Sequence, residues 1–549
     1  MRRTPAAIAI LAIAGAGSLA AAALLGGAPT PGASLGPPLF VEEAVAAGLA
    51  HTYDGPITFF TGGGVAVFDC DDDGRPDLYV SGGERPAALF RNESPTEGAL
   101  RFSARAAPVT DMTGVTGAYP IDIDGDGQVD LAVLRVGGAT LLRGLGDCQF
   151  EPADAAWRFA GGDGWAIAFS ATWEGAAGWP TLAIGNYLEL DAAEVPTSDC
   201  ADNALVRPDT SGNGYAPPVP LTPGYCTLSM LFSDWDRSGR RDLRVSNDRH
   251  YYVDGQEQLW RVAAGEPPRA YTADEGWVSM QIWGMGIASH DVTGDGYPEV
   301  FLTSQGDNKL QTLTTGPDRP TFRDIALKRG VVAARPATGG DVLPSTAWHP
   351  EFADVNNDGF VDLFISKGNV SAIPEFASRD PSDLFLGQPD GSFTPAAEAA
   401  GIVSFDRGRG AALVDFNLDG LLDLVEVNLG SPVKLWRSVG AGDAGTAVPM
   451  GHWVELRLSQ PNPNRDAIGA WIEVKVGDAI QRRELTVGGG HVGGQLGWVH
   501  AGLGPSERAE VRVQWPDGEL GPWLRVEADR FYVVERGAEE ARGWTPAQD

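Results

Sequence analysis

Asp69-Cys70-Asp71-Asp72-Asp73-Gly74-Arg75-Pro76-Asp77-Leu78 is the stretch on which the reading of this 549-residue chain turns. Oxygen side chains stand at its positions 1, 3, 5 and 9, with Gly at position 6 and an apolar run after it. Five more copies start at Asp122, Asp234, Asp291, Asp354 and Asp415. Alternate residues of a tight loop aim three side chains at one point. The glycine permits the sharp turn. A backbone carbonyl at position 7 and the acid at position 9 complete most of an oxygen shell. Such a shell suits Ca²⁺, a hard cation that takes roughly six to eight oxygen ligands in flexible geometry.

The candidate ligands, for up to six Ca²⁺ sites, are therefore Asp69, Asp71, Asp73 and Asp77; Asp122, Asp124, Asp126 and Asp130; Asp234, Asp236, Ser238 and Asp242; Asp291, Thr293, Asp295 and Glu299; Asp354, Asn356, Asp358 and Asp362; and Asp415, Asn417, Asp419 and Asp423. The first two sets are all Asp. The other four each carry one neutral oxygen side chain, so weaker binding is expected there. An EF-hand would share the opening of the motif but needs Glu at position 12 and flanking helices. Position 12 here is Val80, Val133, Val245, Leu302, Ile365 and Glu426, and strand-forming residues flank the loops.

The spacing of the copies leaves one oversized gap, between Asp122 and Asp234. A decayed copy is read inside it. Ile167-Ala168-Phe169-Ser170 aligns with Ala66-Val67-Phe68-Asp69, Gly175 aligns with Gly74, and Trp179-Pro180-Thr181-Leu182 follows after three extra residues. Ser170 and Thr181 would replace the first and last acids, so this copy is expected to bind no metal. Seven units 48 to 64 residues apart, each with several short strands, are the signature of a propeller blade. The predicted fold is all-β: a seven-bladed propeller over residues 38–440 plus a small β domain over 451–536. In the last unit Ala411–Val414, Leu422–Val427 and Val433–Trp436 supply three strands, and the fourth is missing. Phe40-Val41-Glu42-Glu43-Ala44 matches the Phe-led fourth segments at Phe102, Phe150, Phe322 and Phe393. It is expected to cross over and close the ring, which hides two strand edges.

Composition agrees with many turns and short strands: the chain holds 72 Gly and 39 Pro. Its net charge of −32 argues against nucleic acid as a partner. Arg2 and Arg3 precede an apolar stretch, so residues 1–30 read as a signal peptide or, alternatively, an N-terminal membrane anchor. Location outside the cytoplasm follows, either periplasmic or secreted. Four cysteines without a C-x-x-C pair fit two disulfides, Cys200–Cys226 by proximity and Cys70–Cys148 by elimination. Free buried thiols are the other reading. Residues 191–225, rich in Pro, Gly and Asn, read as an insertion.

The repeats resemble the FG-GAP/VCBS repeats of integrin α propellers. In the tail, Asn464-Arg465-Asp466-Ala467-Ile468-Gly469-Ala470, Gly488-Gly489-Gly490, Gly502-Leu503-Gly504 and Val513-Gln514-Trp515-Pro516-Asp517-Gly518 resemble an ASPIC/UnbV domain. The two together resemble the cartilage acidic protein 1 (CRTAC) family. That resemblance implies a secreted, calcium-binding interaction protein and names no partner.

Three functions are compatible with the sequence. A binding or adhesion module with structural Ca²⁺ would meet a protein or glycan partner outside the cytoplasm. A calcium-dependent enzyme would use the funnel on the propeller axis. A carbohydrate-binding propeller would repeat aromatic platforms round the ring, but the Trp residues cluster. That cluster comprises Arg249, His250, Tyr251, Tyr252, Trp260, Trp277, Trp283, His290, Trp348 and His349; it reads as packing between blades or as a contact patch. Gly-rich Val487–Gly497 lacks the Lys-Ser/Thr of a phosphate loop and reads as a tight β turn. The tail is expected to be separable, so that deleting 451–549 leaves a folded propeller.

Overall fold

The computed structural model describes residues 34–191, 193, 195–248 and 255–546. The signal or anchor segment, and Arg249, His250, Tyr251 and Tyr252, lie outside them. Within the described residues no helix is long and apolar enough to cross a membrane.

Seven four-stranded sheets lie within residues 40–438; six take their strands in chain order from one stretch, and the seventh draws its outer strand from the start of the described chain. The first sheet runs Val65–Phe68, Asp77–Val80, Ala88–Asn92 and Phe102–Ala104, antiparallel throughout. The first strands of successive sheets neighbour one another, and that of the seventh, Gly408–Val414, returns to that of the first. The sheets thus form a closed propeller. Its inner strands are largely buried on both faces because each faces a neighbouring sheet; Val65–Phe68 is apolar and buried throughout.

The seventh sheet is completed as the sequence implied. Phe40–Glu42 pairs with Lys434–Ser438, joining Phe40 to Ser438 and Glu42 to Trp436. Arg437 donates to the Glu43 carboxylate at 3.0 Å, bolting the closure. Both cysteine pairs, Cys70–Cys148 and Cys200–Cys226, are disulfides.

The third sheet departs from the sequence reading. The stretch 191–225 is not simply inserted: it contains the sheet's outer strands, Asn203–Val206 and Val219–Leu221. Only the short hairpin Leu188–Leu190/Pro196–Cys200 is extra. Register also realigns the decayed loop. Thr172 pairs with Thr181 as Phe68 pairs with Asp77. Trp173, not Ser170, therefore occupies the first position, Gly178 the sixth and Thr181 the ninth. There are no extra residues. Phe169-Ser170 resembles Phe68-Asp69 in residue type, but strand pairing rather than residue likeness fixes the frame.

The tail forms two four-stranded sheets. One orders Val499–Gly504, His452–Ser459, Arg530–Glu535 and Arg542–Trp544; the other orders Ala479–Glu484, Trp471–Val476, Arg508–Gln514 and Leu524–Glu527. Val454, Leu456, Ile472, Val474, Val511 and Val513 from both sheets share one core, the arrangement of a β-sandwich.

Gly-rich 487–497 is more than a turn. It enters the propeller axis and bonds to inner strands of five sheets. Ala171 N–H donates to Val487 O (3.1 Å), Gly489 N–H to Met230 O (2.6 Å), Ala118 N–H to Val492 O (3.2 Å) and Val67 N–H to Gly494 O (2.9 Å). Gly490 and Ile287 exchange a pair of bonds at 2.6 and 3.2 Å, and Leu496 N–H donates to Val67 O (2.9 Å). At the tip His491 is fully buried against Trp348, with Nε2 2.6 Å from Thr61 O. Glycine is required on both sides of this seat. A Cβ on Gly117 would lie 1.9 Å from the Val492 carbonyl oxygen, and Gly488 has φ +126.

Candidate functional site: carboxylate loops under a capping domain

Each loop joins the first strand of its sheet to the second, and its ends are held by strand pairing. Phe68 faces Asp77, Ile121 faces Asp130, Ser233 faces Asp242, His290 faces Glu299, Ala353 faces Asp362 and Val414 faces Asp423. The ninth-position acid thus always opens the second strand. We number the loops by sheet, so that loop three is the decayed one.

The local turn is built by the acids themselves. The first-position carboxylate accepts the N–H of the sixth-position glycine in all six loops, for example Gly74 to Asp69 (2.8 Å) and Gly420 to Asp415 (2.7 Å). The fifth-position acid accepts the N–H of the seventh residue, as Asp73 does from Arg75 (2.8 Å). The ninth-position acid spans two strands: Asp77 accepts from Cys70 N–H and from Asn92 N–H, both at 2.7 Å.

In loops one and two the acids converge. Carboxylate oxygens of Asp69, Asp71 and Asp77 lie within 4.8 Å of one another, as do those of Asp122, Asp124 and Asp130. Asp71 Oδ1, Asp291 Oδ1 and Asn417 Oδ1 are buried without a hydrogen bond. Guanidinium groups stand beside these acids: Arg91 pairs with Asp71, and Arg143 with Asp124 and Asp126 at 2.8 Å. Oxygen-only donors and unpartnered oxygens fit a hard cation, which would share Asp71, Asp124 and Asp126 with these guanidinium groups. Loop four gathers its acids less well, because Arg240 sits between Asp236 (3.5 Å) and Asp242 (3.0 Å), and Asp242 also accepts from Trp235 and Tyr271. Loop six is crossed by the N-terminal segment, Leu35 N–H donating to Asp358 at 2.8 Å.

Burial is the main electrostatic fact of these loops. Desolvation pushes Asp69 and Asp234 up to about 6, and Asp122 and Asp354 up to about 7. Asp77, Asp130, Asp362, Asp415 and Asp423 are raised well above the ordinary carboxylate range by the same cause, with neighbouring loop acids adding to it. Without a cation, clustered anions out of water are costly.

Loop three replaces ionic closure with an ion pair. Glu174 accepts from Thr181 Oγ1 (2.6 Å) and from Arg207 through both oxygens (2.7 and 3.0 Å).

The tail covers this face, an arrangement with no signature in residue spacing. Trp498 Nε1 donates to Gly74 O in loop one (3.0 Å), and a Cβ on Gly420 in loop seven would lie 1.8 Å from the Trp453 ring. Asn462 packs on Gly125 in loop two, Arg237 of loop four stacks on Trp471 (4.1 Å), and Arg482 pairs with Asp291 of loop five (3.3 Å). His500 lies 2.6 Å from Asn357 Oδ1 in loop six. Of the aromatic cluster, Trp260, Trp277 and Trp348 are buried packing groups, and Trp348 lies under Arg409 (4.1 Å) near the axis. The loop Val487–Gln495 occupies the axis that a funnel site would need.

Comparison with known proteins agrees with this architecture. An FG-GAP-like repeat model matches residues 69–133 and 291–365, and an ASPIC and UnbV model matches 460–541. Cartilage acidic protein 1 of Xenopus tropicalis is 23% identical over 490 residues, covering 83% of this chain and 70% of that protein. The chain is thus similar to cartilage acidic protein 1 at modest identity over most of its length. The mouse protein of that name is 27% identical over 203 residues, and the match spans 34% of this chain but only 27% of the mouse protein. Among solved structures, BBS1N in complex with ARL6DN matches at TM-score 0.40 and 11% identity, covering 72% of this chain and 96% of that one. The FG-GAP-like repeats and the cartilage acidic protein 1 relatives support a generic binding or adhesion module.

Proposed function

We propose that this chain is an exported propeller whose loops bind Ca²⁺ in a structural role, presenting a rigid scaffold to a protein or glycan partner outside the cytoplasm. The observation that carries the reading is the convergence of Asp69, Asp71 and Asp77, and of Asp122, Asp124 and Asp130, with Asp71 Oδ1 buried and lacking a hydrogen bond. Two disulfides and the cartilage acidic protein 1 relatives support an extracytoplasmic setting. Ca²⁺ would be held by these carboxylates, with the remaining loops as weaker sites. Bound cation offsets the anion clustering that burial makes costly, so it stabilises the folded chain by mass action.

The test is calorimetric titration of Ca²⁺ into chelator-stripped protein, with thermal melts in parallel. We expect saturable binding, loss of the tightest sites in Asp71→Asn/Asp124→Asn, and melting that rises by several degrees with Ca²⁺. Identical melts in EDTA and Ca²⁺, with no binding heat, would sink the proposal. For the partner, capture from an envelope extract with and without Ca²⁺ is the direct experiment. Nothing retained under either condition would count against a binding module.

A further inference from the structure

The fourth position of each loop lies between two candidate ligands and forms the outer tip. In loops one, four, six and seven the tip residue is not glycine yet adopts a left-handed backbone: Asp72 (φ 59), Arg237 (φ 57), Asn357 (φ 60) and Leu418 (φ 57). Asn and Asp visit this region readily, but Arg and Leu do so rarely, so Arg237 and Leu418 in particular need something to hold them there. In three of these loops the tip residue is held by the tail. Asn357 meets His500 at 2.6 Å, accepts from Gly504 N–H at 2.9 Å and donates to Gly420 O of the next loop at 3.0 Å. Leu418 is buried in a cluster with Trp453 and Phe531. Arg237 stacks on Trp471 and donates to Gln514 at 2.6 Å.

Resting on the calcium reading above, we infer that the tail senses loop closure through these tips, so that cation loading and tail docking are one linked equilibrium. The mechanism is mechanical. A cation draws positions 3 and 5 inward, which thrusts position 4 outward in the conformation the tail grips. With the cation removed, the acids that share each site, Asp354, Asp358 and Asp362 in loop six and Asp415, Asp419 and Asp423 in loop seven, repel one another, so the loop spreads and the tip retracts from its socket. Charge supports the same arrangement. A loop with three acids keeps one negative charge after binding a divalent cation, and a loop with four keeps two. The tail meets this remainder with Arg482 on Asp291 (3.3 Å) and Arg457 near Asp69 (3.9 Å). The axial loop Val487–Gln495 keeps the tail tethered, so the sandwich is expected to loosen at its rim rather than leave. By thermodynamic reciprocity, whatever weakens tail docking must weaken cation binding by the same factor.

The experiment uses the full chain, with Ca²⁺ and EGTA as the only probes. Calorimetry reports binding; hydrogen exchange of His452–Ser459 and Trp471–Val476 reports tail docking. Expected is saturable binding together with exchange about tenfold faster in EGTA. Asn357→Ala and Leu418→Ala remove no candidate ligand, yet each should weaken Ca²⁺ binding about fivefold or more, the usual lower range of such coupling. Binding with unchanged tail exchange would overturn the inference and leave the calcium reading standing. Unchanged affinity in both folded tip variants would do the same. Absence of any binding heat would remove both together.

Discussion

Deleting residues 451–549 is the perturbation that most directly tests how this chain holds together. If the tail were a separable domain, the remaining propeller would melt as before. The structure reverses that expectation, because seven backbone hydrogen bonds join the segment Val487–Leu496 to the inner strands. They involve Ala171, Met230, Ile287 (twice), Ala118 and Val67 (twice). At a net contribution of about 1 kcal/mol each, their loss amounts to ~7 kcal/mol. Partial collapse of the strands round the opened axis would recover part of this, so ~3–7 kcal/mol is the expected cost. That is comparable with the whole stability of a typical domain, about 5–15 kcal/mol. Melting temperature should fall by on the order of 10 °C, with soluble yield falling too. The assay is a thermal melt of the truncated chain beside the intact one, both in saturating Ca²⁺. Melts within a degree or two of each other would refute the reasoning and restore the separable tail.

Three further outcomes are expected. In EGTA, raised carboxylates bind protons more tightly folded than unfolded, so folded stability is highest near pH 4 and is lost as pH rises towards about 6 for Asp69 and Asp234 and about 7 for Asp122 and Asp354. Melts should therefore drop between pH 5 and 7.5 in EGTA, while the gain on adding Ca²⁺ grows across the same interval; differential scanning calorimetry at both pH values checks this. Glu174→Gln should destabilise by about 1–3 kcal/mol, since Arg207 loses its charged partner, without changing the number of cations bound. Removing residues 34–46 would expose Lys434–Ser438 as a bare edge and discard the Glu43–Arg437 pair, so aggregation on mild heating, followed by light scattering, should set in earlier than in the intact chain.

Much of the site was legible because its parts are local. Nine consecutive residues carry the loop from Asp69 to Asp77, and the acid that opens the second strand is the same acid that ends the motif. The missing fourth strand was legible too, since Phe40–Ala44 repeats the pattern of the other outer strands. Loop three was misframed because its residue likeness at Ser170 outweighed a register that only pairing with Thr181 reveals. The outer strands at Asn203–Val206 and Val219–Leu221 were hidden by the Pro- and Gly-rich chain between them.

By itself, then, the sequence determined the oxygen-lined loops, the all-β propeller and the closing strand. These depend on short-range spacing, which residue types record. Only tertiary structure decided that Gly488–Gly490 enters the axis and that Asn357 and Leu418 are gripped by the tail. The physical reason is that backbone hydrogen bonds do not depend on side-chain identity. A glycine run announces freedom of conformation and close approach, but not which strand it will approach. The tip residues are similarly silent: Asp72, Arg237, Asn357 and Leu418 share no chemistry. They share a position between ligands, and that position gains meaning only when a second domain is folded against it.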